Sequence, residues 1–254
     1  MRKSINKISI DLKSKTALIT GGTKGIGKAI VDLFYKAGAH VIVTGTLAEK
    51  KYNFISLYSK SRFEYIQADF SQEQTIQEFV DKVSKQEKID VLVNNAGINI
   101  VNRNIDTSIT EYDAINNVNL KAPYLITREI SRIMIQNKYG RIINISSIWS
   151  VLARPGRSIY SISKCGLVGL SKALSLELAE FGILVNSISP GFTLTELTEK
   201  TNTTEELKNL CEAIPLKRLA ATDEIANLAL FLASDLNTYI TGQNIIIDGG
   251  YSNA

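Results

Sequence analysis

Short apolar runs alternate along the chain with longer stretches in which apolar residues recur every three or four positions. The run at residues 16–20 ends in glycines, and apolar side chains then recur at helical spacing over residues 26–37. A short continuous apolar run suits a strand buried on both faces, whereas the helical period suits a helix packed on one face. The pattern predicts strands over residues 16–20, 41–43, 63–66, 90–93, 141–145, 184–188 and 244–247.

The predicted helices lie between these strands, over residues 26–37, 72–86, 110–137 and 158–181. Pro123 falls inside the third helix and predicts either a kink or a new helix start, because proline lacks the amide hydrogen that a helix interior uses. Strands that alternate with such helices build βαβ units, and right-handed crossovers favour a doubly wound arrangement. We therefore expect an α/β fold, a single doubly wound domain around a seven-stranded parallel sheet.

No change of composition and no repeat divides the chain, so residues 1–254 are expected to form one domain. Residues 1–14 are basic and lack an apolar centre, which predicts an N-terminal extension and not a secretory signal. Residues 190–215 are rich in threonine and irregular in pattern. We predict a lid on the substrate side there, with an exposed loop and helix as the alternative.

Composition argues against several classes of function. The 29 Lys and Arg exceed the 25 Asp and Glu by only +4, without a long run of one sign, so nucleic acid is not an expected partner. No apolar run approaches the roughly 18 residues of a membrane span. A single histidine, His40, and two cysteines, Cys165 and Cys211, cannot supply a histidine- or cysteine-rich metal centre or a disulfide framework. We expect a cytoplasmic protein without a metal.

Two polar turns follow predicted strands at places where a ligand could bind. The glycine-rich residues 20–27 join the first strand to the first helix, where glycines let the backbone approach a pyrophosphate at the positive end of the helix. Residues 94–97, Asn-Asn-Ala-Gly, follow the fourth strand, whose end lies beside that of the first in a doubly wound sheet. The alternative for residues 94–97 is an ordinary polar turn.

Three side chains suggest proton-transfer chemistry. Tyr160 and Lys164 lie four residues apart in a predicted helix, so they share one face. A free tyrosine has a pKa of about 10, and a neighbouring ammonium is expected to lower the pKa of Tyr160 toward the working range. Ser147 follows the fifth strand, at the edge where such a sheet places its ligands. We predict that Ser147 binds the reacting oxygen while Tyr160 transfers the proton.

Together these residues resemble the motifs of the short-chain dehydrogenase/reductase family in order and spacing, from about residue 15 to the C-terminus. The matching positions are residues 20–27 and 94–97, Asp69, Asn119, Ser147, Tyr160, Lys164, Pro190 and Gly191. The resemblance implies a Rossmann-type fold and an enzyme that transfers hydride between a nicotinamide cofactor and a carbonyl or secondary alcohol.

The resemblance also implies roles for single residues. Tyr160 is the expected general acid in reduction and general base in oxidation, and Ser147 holds the substrate oxygen. Lys164 lowers the pKa of Tyr160 and binds the nicotinamide ribose, while Asn119 anchors a water in a proton relay to Lys164. The implied cofactor-binding residues are Gly21, Thr23, Lys24, Gly25, Ile26, Gly27, Thr46, Asp69, Phe70, Asn95, Ala96, Gly97, Tyr160, Lys164, Pro190, Gly191 and Thr193.

The end of the second predicted strand bears on the choice of cofactor. Relatives that use NAD carry an acidic residue there for the adenine ribose 2′-hydroxyl, whereas this chain has Thr44, Gly45 and Thr46. Lys24 stands in the glycine turn where relatives that use NADP carry a basic residue, although a solvated lysine is the alternative. NADP(H) is therefore expected over NAD(H), and Gly45→Asp is expected to weaken NADPH binding.

The sequence leaves more than one substrate class open. The chain resembles the compact subgroup of the family that includes the 3-oxoacyl-carrier-protein reductases, which implies a 3-oxoacyl thioester. A sugar, polyol or sugar-derived intermediate is the alternative, and a non-catalytic dinucleotide-binding regulator is a remote one. That subgroup carries basic residues around the site entrance. Lys138 retains one, but Phe181 stands at the second place, which weakens the prediction of an acyl carrier protein as partner.

Other residues near Ser147 have two interpretations each. Trp149 either lines the substrate pocket or packs under the following loop, and Arg154 and Arg157 either bind an anionic substrate or are surface arginines without a partner. Assembly is also predicted, because the family resemblance implies a homotetramer or a dimer built on the two long helices and on the C-terminal strand. The second helix is rich in leucines, at Leu167, Leu170, Leu174, Leu176 and Leu178.

Overall fold

The computed structural model describes residues 10–196, 198 and 203–254. The predicted extension, residues 1–14, and the predicted lid, residues 190–215, therefore lie partly outside the described residues. Within the described part of the extension, Leu12 is buried and belongs to the apolar core.

Seven parallel strands form one sheet in the order β3-β2-β1-β4-β5-β6-β7. The chain runs outward from β1 to β3 and then returns to β4 beside β1, so the carboxyl ends of β1 and β4 open a crevice at the reversal. The predicted α/β fold and its seven-stranded parallel sheet are confirmed. The strands are β1 (Thr16–Ile19), β2 (His40–Gly45), β3 (Phe63–Gln67), β4 (Val91–Asn94), β5 (Gly140–Ile145), β6 (Ile183–Pro190) and β7 (Asn244–Ile247).

Helices cover both faces of the sheet because successive strand residues point to opposite sides. Ala17 and Ile19 of β1 pack toward α1 and α7, whereas Leu18 packs toward α2, α4 and α5. The sequence pattern did not predict α7, and it gave a helix within residues 190–215, where α6 lies, only as the alternative to a lid. The helices are α1 (Gly25–Lys36), α2 (Glu73–Val83), α3 (Ile109–Asn116), α4 (Ala122–Asn137), α5 (Ser158–Leu178), α6 (Thr204–Ala213) and α7 (Thr222–Ala233).

The helix predicted over residues 110–137 is divided. After α3, a π-helical turn covers Asn117–Lys121, and α4 then begins with Pro123 in its first turn. A proline is tolerated there because the first amide groups of a helix have no partner within it. Pro123 therefore marks a new helix start, and the π-helical turn places Asn119 in the interior.

Candidate active site

The two polar turns predicted to bind a ligand are in contact with each other. Gly21 has φ = 64°, and a side chain there would bring its Cβ to 2.8 Å from the Ala96 Cα. The Asn95 Nδ2 donates hydrogen bonds to the carbonyl oxygens of Thr20 and Gly21, both at 3.0 Å. Glycine at position 21 thus permits both the backbone conformation and the close approach of the two turns.

A cleft of about 350 Å³ opens between these turns and the ends of β2 and β3. Every predicted residue of the adenine and pyrophosphate side lines this cleft: Gly21, Thr23, Lys24, Gly25, Ile26, Gly27, Thr46, Asp69, Phe70, Asn95, Ala96 and Gly97. The cleft also includes residues that the sequence did not single out as ligand contacts, among them Thr44, Ser71, Ile98, Val118 and Thr195.

The residues at the start of α1 fit a dinucleotide. No side chain caps the helix N-terminus, and the first turn holds no acidic residue. Backbone amides at such an end carry partial positive charge and bind phosphate groups. Gly25, Ile26 and Gly27 of this turn face the cleft, so the structure supplies donors where the pyrophosphate of a nicotinamide cofactor would lie.

Ser147, Tyr160 and Lys164 come together just beyond this cleft. Lys164 is only 3% exposed, and its Nζ donates to the carbonyl of Ile145 at 2.8 Å and lies 5.6 Å from the Tyr160 ring centroid. A Cβ built on Gly97 would lie 3.4 Å from this Nζ, so the amine faces the cleft wall. Tyr160 also hydrogen-bonds to Ser147, so the structure brings the three side chains together beside the cleft.

The acidity of Tyr160 differs from the prediction. Burial raises the pKa of the phenol above its ordinary value, although the Ser147 hydroxyl and the charge of Arg157 both act to lower the pKa. Burial also lowers the pKa of Lys164 to about 8. In this structure the electrostatic partner of the phenol is thus Arg157, while the Lys164 amine is bonded to the Ile145 carbonyl.

Arg157 lies one helical turn before Tyr160 and is half-buried. Within the described residues it forms no hydrogen bond or ion pair through its guanidinium. We expect Arg157→Leu to raise the pKa of Tyr160, because a favourable charge is lost. In alcohol oxidation, which needs the phenolate, the rising limb of the pH–rate profile should therefore shift to higher pH.

Two control variants make this pH test specific. Arg157→Lys keeps the charge and should restore most of the profile. Arg154→Leu removes an exposed neighbour that does not act on Tyr160 and should leave the profile in place. An unchanged profile in Arg157→Leu would show that this charge does not act on the phenol.

Both amide hydrogen atoms and the amide oxygen of the Asn119 side chain form hydrogen bonds. Its Nδ2 donates to the Ile98 carbonyl at 2.9 Å and to the Ser163 Oγ at 3.1 Å, while its Oδ1 accepts from the Ile98 amide at 2.8 Å. Ser163 in turn donates to the backbone carbonyl of Tyr160. Asn119 therefore ties the turn after β4 to the first turn of α5, and its role in a water relay stays a prediction.

The predicted nicotinamide-end residues lie outside the cleft lining. Gly191 follows Pro190 and bonds to β7 through its amide, and Thr193 is buried with its Oγ1 donating to the Gly191 carbonyl. Their contact with a cofactor stays a prediction. Thr195 lines the cleft instead, and a Cβ on Gly25 would lie 3.5 Å from its methyl group. In the sequence, the only signal that residues 190–215 could reach the cleft was their run of threonines.

Trp149 is buried directly after Ser147. Its amide donates to the Ser147 Oγ at 3.2 Å, and its ring packs edge-on against Phe192, with 6.2 Å between the centroids. Phe192 packs in the same way against Tyr251. Trp149 is thus part of an aromatic row that joins the loops after β5, β6 and β7, and a substrate contact for it stays a prediction.

Lys138 and Phe181 lie at the opposite edge of the sheet from Ser147. Lys138 stands just before β5 and Phe181 just before β6, and a Cβ on Gly182 would approach the Lys138 carbonyl to 3.0 Å. Because the strands are parallel, their starts and their ends lie at different edges. Lys138 therefore does not stand at the entrance of the cleft in its own chain. The cations nearest to Ser147 and Tyr160 in the sequence are Arg154 and Arg157.

Comparison with known proteins agrees with this geometry. A family model described as enoyl-(acyl carrier protein) reductase matches residues 21–252. The 3-oxoacyl-[acyl-carrier-protein] reductase FabG of Rickettsia conorii is 40% identical over 241 residues, which cover 95% of this chain and 98% of the relative. The chain belongs to the short-chain dehydrogenase/reductase family. The predicted enzyme class, an NAD(P)-dependent dehydrogenase or reductase, is thereby confirmed.

Solved structures of short-chain dehydrogenases and reductases share the whole fold. A gluconate 5-dehydrogenase from Burkholderia cenocepacia, in complex with NADP and tartrate, superposes with a TM-score of 0.87 at 29% identity. That match covers 96% of this chain and 97% of the other. ElxO with NADP bound superposes with a TM-score of 0.86 at 33% identity, over 94% of this chain and 99% of the other.

Residues 10–196, 198 and 203–254 contain no group of three or more His, Cys, Asp or Glu side chains that could hold a metal ion. In the same part of the chain, no helix combines the length and the apolar character needed to cross a membrane.

Proposed function

We propose that this enzyme is an NADP(H)-dependent reductase of 3-oxoacyl thioesters, with Asn119, Ser147, Tyr160 and Lys164 as its catalytic set. The observation that carries the proposal is the meeting of Ser147, Tyr160 and the buried amine of Lys164 at the wall of the cofactor cleft. The similarity to 3-oxoacyl-[acyl-carrier-protein] reductases over 95% of the chain supports the choice of substrate.

The proposed chemistry follows from the position of two hydroxyl groups. Ser147 and Tyr160 both bind the carbonyl oxygen of the substrate, where negative charge develops during reduction. Tyr160 then donates its proton to that oxygen, and the raised pKa of its phenol favours the protonated form that reduction needs. When bound, the nicotinamide supplies the hydride. Lys164 provides positive charge beside the ring and a hydrogen-bond donor at the cleft wall.

The cofactor is proposed to lie along the cleft, with its pyrophosphate at the start of α1. Lys24 has no hydrogen bond or ion pair within the described part of the chain, and its charge is available to the 2′-phosphate of NADP(H). The end of β2 offers no carboxylate that would repel this phosphate. Asp69 and Phe70 are proposed to hold the adenine, and Pro190, Gly191 and Thr193 the nicotinamide.

Product analysis tests the proposal. The purified enzyme is incubated with acetoacetyl-coenzyme A and NADPH, and the products are identified by mass spectrometry. We expect one 3-hydroxybutanoyl thioester for each NADPH consumed. The absence of this product, in a preparation that oxidises NADPH with another carbonyl compound, would reject the thioester substrate.

A second candidate substrate is a sugar-derived keto acid. The observation in its favour is the pair of arginines, Arg154 and Arg157, on the loop between Ser147 and Tyr160. Neither side chain is paired with a carboxylate within the described residues, so both are available to an anionic group. The similarity to a gluconate 5-dehydrogenase supports this alternative.

Position 46 tests the cofactor preference better than position 45. A Cβ on Gly45 would lie 2.5 Å from the Thr23 methyl and 2.9 Å from the Tyr52 hydroxyl, so Gly45→Asp would disturb packing as well as charge. Thr46 is exposed and lines the cleft. We expect Thr46→Asp to lower kcat/KM for NADPH by roughly tenfold or more through repulsion of the 2′-phosphate.

The neutral variant Thr46→Asn is the control, since it has nearly the same shape as Thr46→Asp. Initial rates with NADPH and NADH should show a loss for NADPH only in the acidic variant. If Thr46→Asp lowers both rates equally, the 2′-phosphate lies elsewhere.

We further propose a homotetramer, with a dimer as the alternative, in a cytoplasmic enzyme. Leu176 of α5 is 84% exposed, and Ile162 of the same helix and Tyr124 of α4 are also exposed. Apolar side chains grouped on long helices are typical of subunit contacts.

The segment over residues 190–215 is proposed as the substrate-side lid, because its Thr195 already lines the cleft.

Light scattering at micromolar concentration checks the assembly. The wild type should have a mass near four chains of 28.0 kDa. Leu176→Glu should reduce this mass, because it buries a charge in the contact, whereas Leu57→Glu, at a leucine that is 78% exposed elsewhere, should not. A fully active wild-type monomer would contradict the proposal.

A further inference from the structure

Four hydroxyl-bearing side chains surround the end of β2 at Gly45. A Cβ built on Gly45 would lie 2.5 Å from the Thr23 methyl, 2.8 Å from the Tyr65 hydroxyl and 2.9 Å from the Tyr52 hydroxyl. The fourth side chain, Thr46, follows directly in the sequence. Thr23, Gly45 and Thr46 line the cofactor cleft, and the two tyrosine hydroxyl groups lie next to Gly45.

Tyr52 and Tyr65 both form hydrogen bonds with the backbone of Leu47, but one hydroxyl accepts and the other donates. The Leu47 amide donates to the Tyr52 Oη at 3.2 Å, and the Tyr65 Oη donates to the Leu47 carbonyl at 2.5 Å. Tyr65 has therefore used its only hydrogen atom. Tyr52 acts as an acceptor in its bond with Leu47, and its own hydrogen faces the neighbouring hydroxyl groups of Thr23, Thr46 and Tyr65.

The surroundings of Tyr52 make this O–H a good donor. Burial acts to raise its pKa, but hydrogen bonds with the Leu47 amide and with the hydroxyl groups of Thr23, Thr46 and Tyr65 outweigh burial and lower the pKa. The same contacts show that the Tyr52 hydroxyl lies beside Thr23 and Thr46, both of which line the cleft. A more acidic phenol donates a stronger hydrogen bond to an anion.

We propose that the Tyr52 hydroxyl is a specificity-determining donor to the 2′-phosphate of NADP(H), beside Thr23 and Thr46. This inference rests on the cofactor preference proposed above. The phosphate would receive the hydrogen of the Tyr52 hydroxyl in place of a neighbouring hydroxyl oxygen, together with the charge of Lys24. A ribose 2′-hydroxyl would gain less, because a hydrogen bond to an ionised group is roughly twice as strong as one between neutral groups.

The chain offers a matched pair of variants. Tyr52→Phe removes the proposed donor and keeps the ring, which packs 5.8 Å from Phe54 and 5.5 Å from Tyr65 between centroids. Tyr65→Phe removes a hydroxyl that holds the same turn but has no hydrogen left to donate. If Tyr52 only held the turn at Leu47, the two variants would behave alike.

Calorimetric titration of the full chain tests the proposal without turnover. The probes are adenosine 2′,5′-bisphosphate and adenosine 5′-monophosphate, which differ only in the 2′-phosphate. We expect Tyr52→Phe to weaken binding of the bisphosphate by about tenfold or more while the monophosphate changes less than about twofold. Tyr65→Phe should change the two affinities by the same small factor.

The outcomes separate the two proposals. If wild type prefers the bisphosphate and Tyr52→Phe keeps the same ratio of affinities, the role of Tyr52 is rejected and the NADP(H) preference stands. If wild type does not prefer the bisphosphate, the cofactor preference itself is rejected. Because the ratio is measured on one protein sample, a partly unfolded variant does not alter it.

Discussion

Tyr160→Phe should lose most of kcat, by about a hundredfold to ten-thousandfold, and still bind NADPH with nearly wild-type affinity. The variant removes only the hydroxyl that lies beside Ser147 at the cleft wall. Steady-state rates and a fluorescence titration with NADPH measure the two quantities separately.

Tyr239→Phe is the control, because Tyr239 is almost fully exposed and lies on another surface. It should retain full activity. A Tyr160→Phe enzyme with more than about a tenth of the wild-type kcat would show that a different group protonates the product.

Lys164→Met should also abolish most of the activity, and it should weaken cofactor binding as well. The Lys164 amine is buried, bonded to the Ile145 carbonyl and directed to the cleft wall at Gly97. Methionine fills a similar volume without the charge, so the losses should appear without unfolding. Steady-state kinetics, cofactor titration and thermal unfolding measure the activity, the cofactor affinity and the stability of the variant. Lys172→Met on the exposed side of α5 is the matched control.

The stability of Lys164→Met should depend on pH differently from that of the wild type. Burial lowers the pKa of Lys164 from 10.5 to about 8, so between these values the unfolded chain binds the proton that the folded chain releases. This proton difference makes wild-type stability rise with pH in that window, and the rise should be missing in the variant. An active, equally cofactor-binding Lys164→Met enzyme would remove Lys164 from the proposed set.

The fold was predictable because its signals are local and continuous. Most strands contain an apolar run, and the crossover helices other than α6 and α7 carry an apolar period in sequence. Helix α7 was missed, because partly buried Leu228 and Phe231 add apolar positions beside its buried face and blur the helical period. Pro123 indicated the break between α3 and α4 but not the π-helical turn before it.

The site was predictable only where spacing along the chain determines contact. Tyr160 and Lys164 meet because four residues make about one helical turn. The acidity of Tyr160 could not be obtained this way, since it depends on burial and on the side-chain direction of Arg157. Spacing along the chain also could not indicate the proposed role of Tyr52, whose hydroxyl reaches Thr23 across the sheet edge.

Comparative kinetics with two carbonyl substrates tests the proposed function most directly. The wild-type enzyme is assayed with NADPH and either acetoacetyl-coenzyme A or 5-keto-gluconate, and kcat/KM is determined for each. The proposal predicts that the thioester is preferred by at least about tenfold. A preference for the keto acid, or no turnover of the thioester by an enzyme that reduces the keto acid, would contradict it and identify a dehydrogenase of sugar-derived acids.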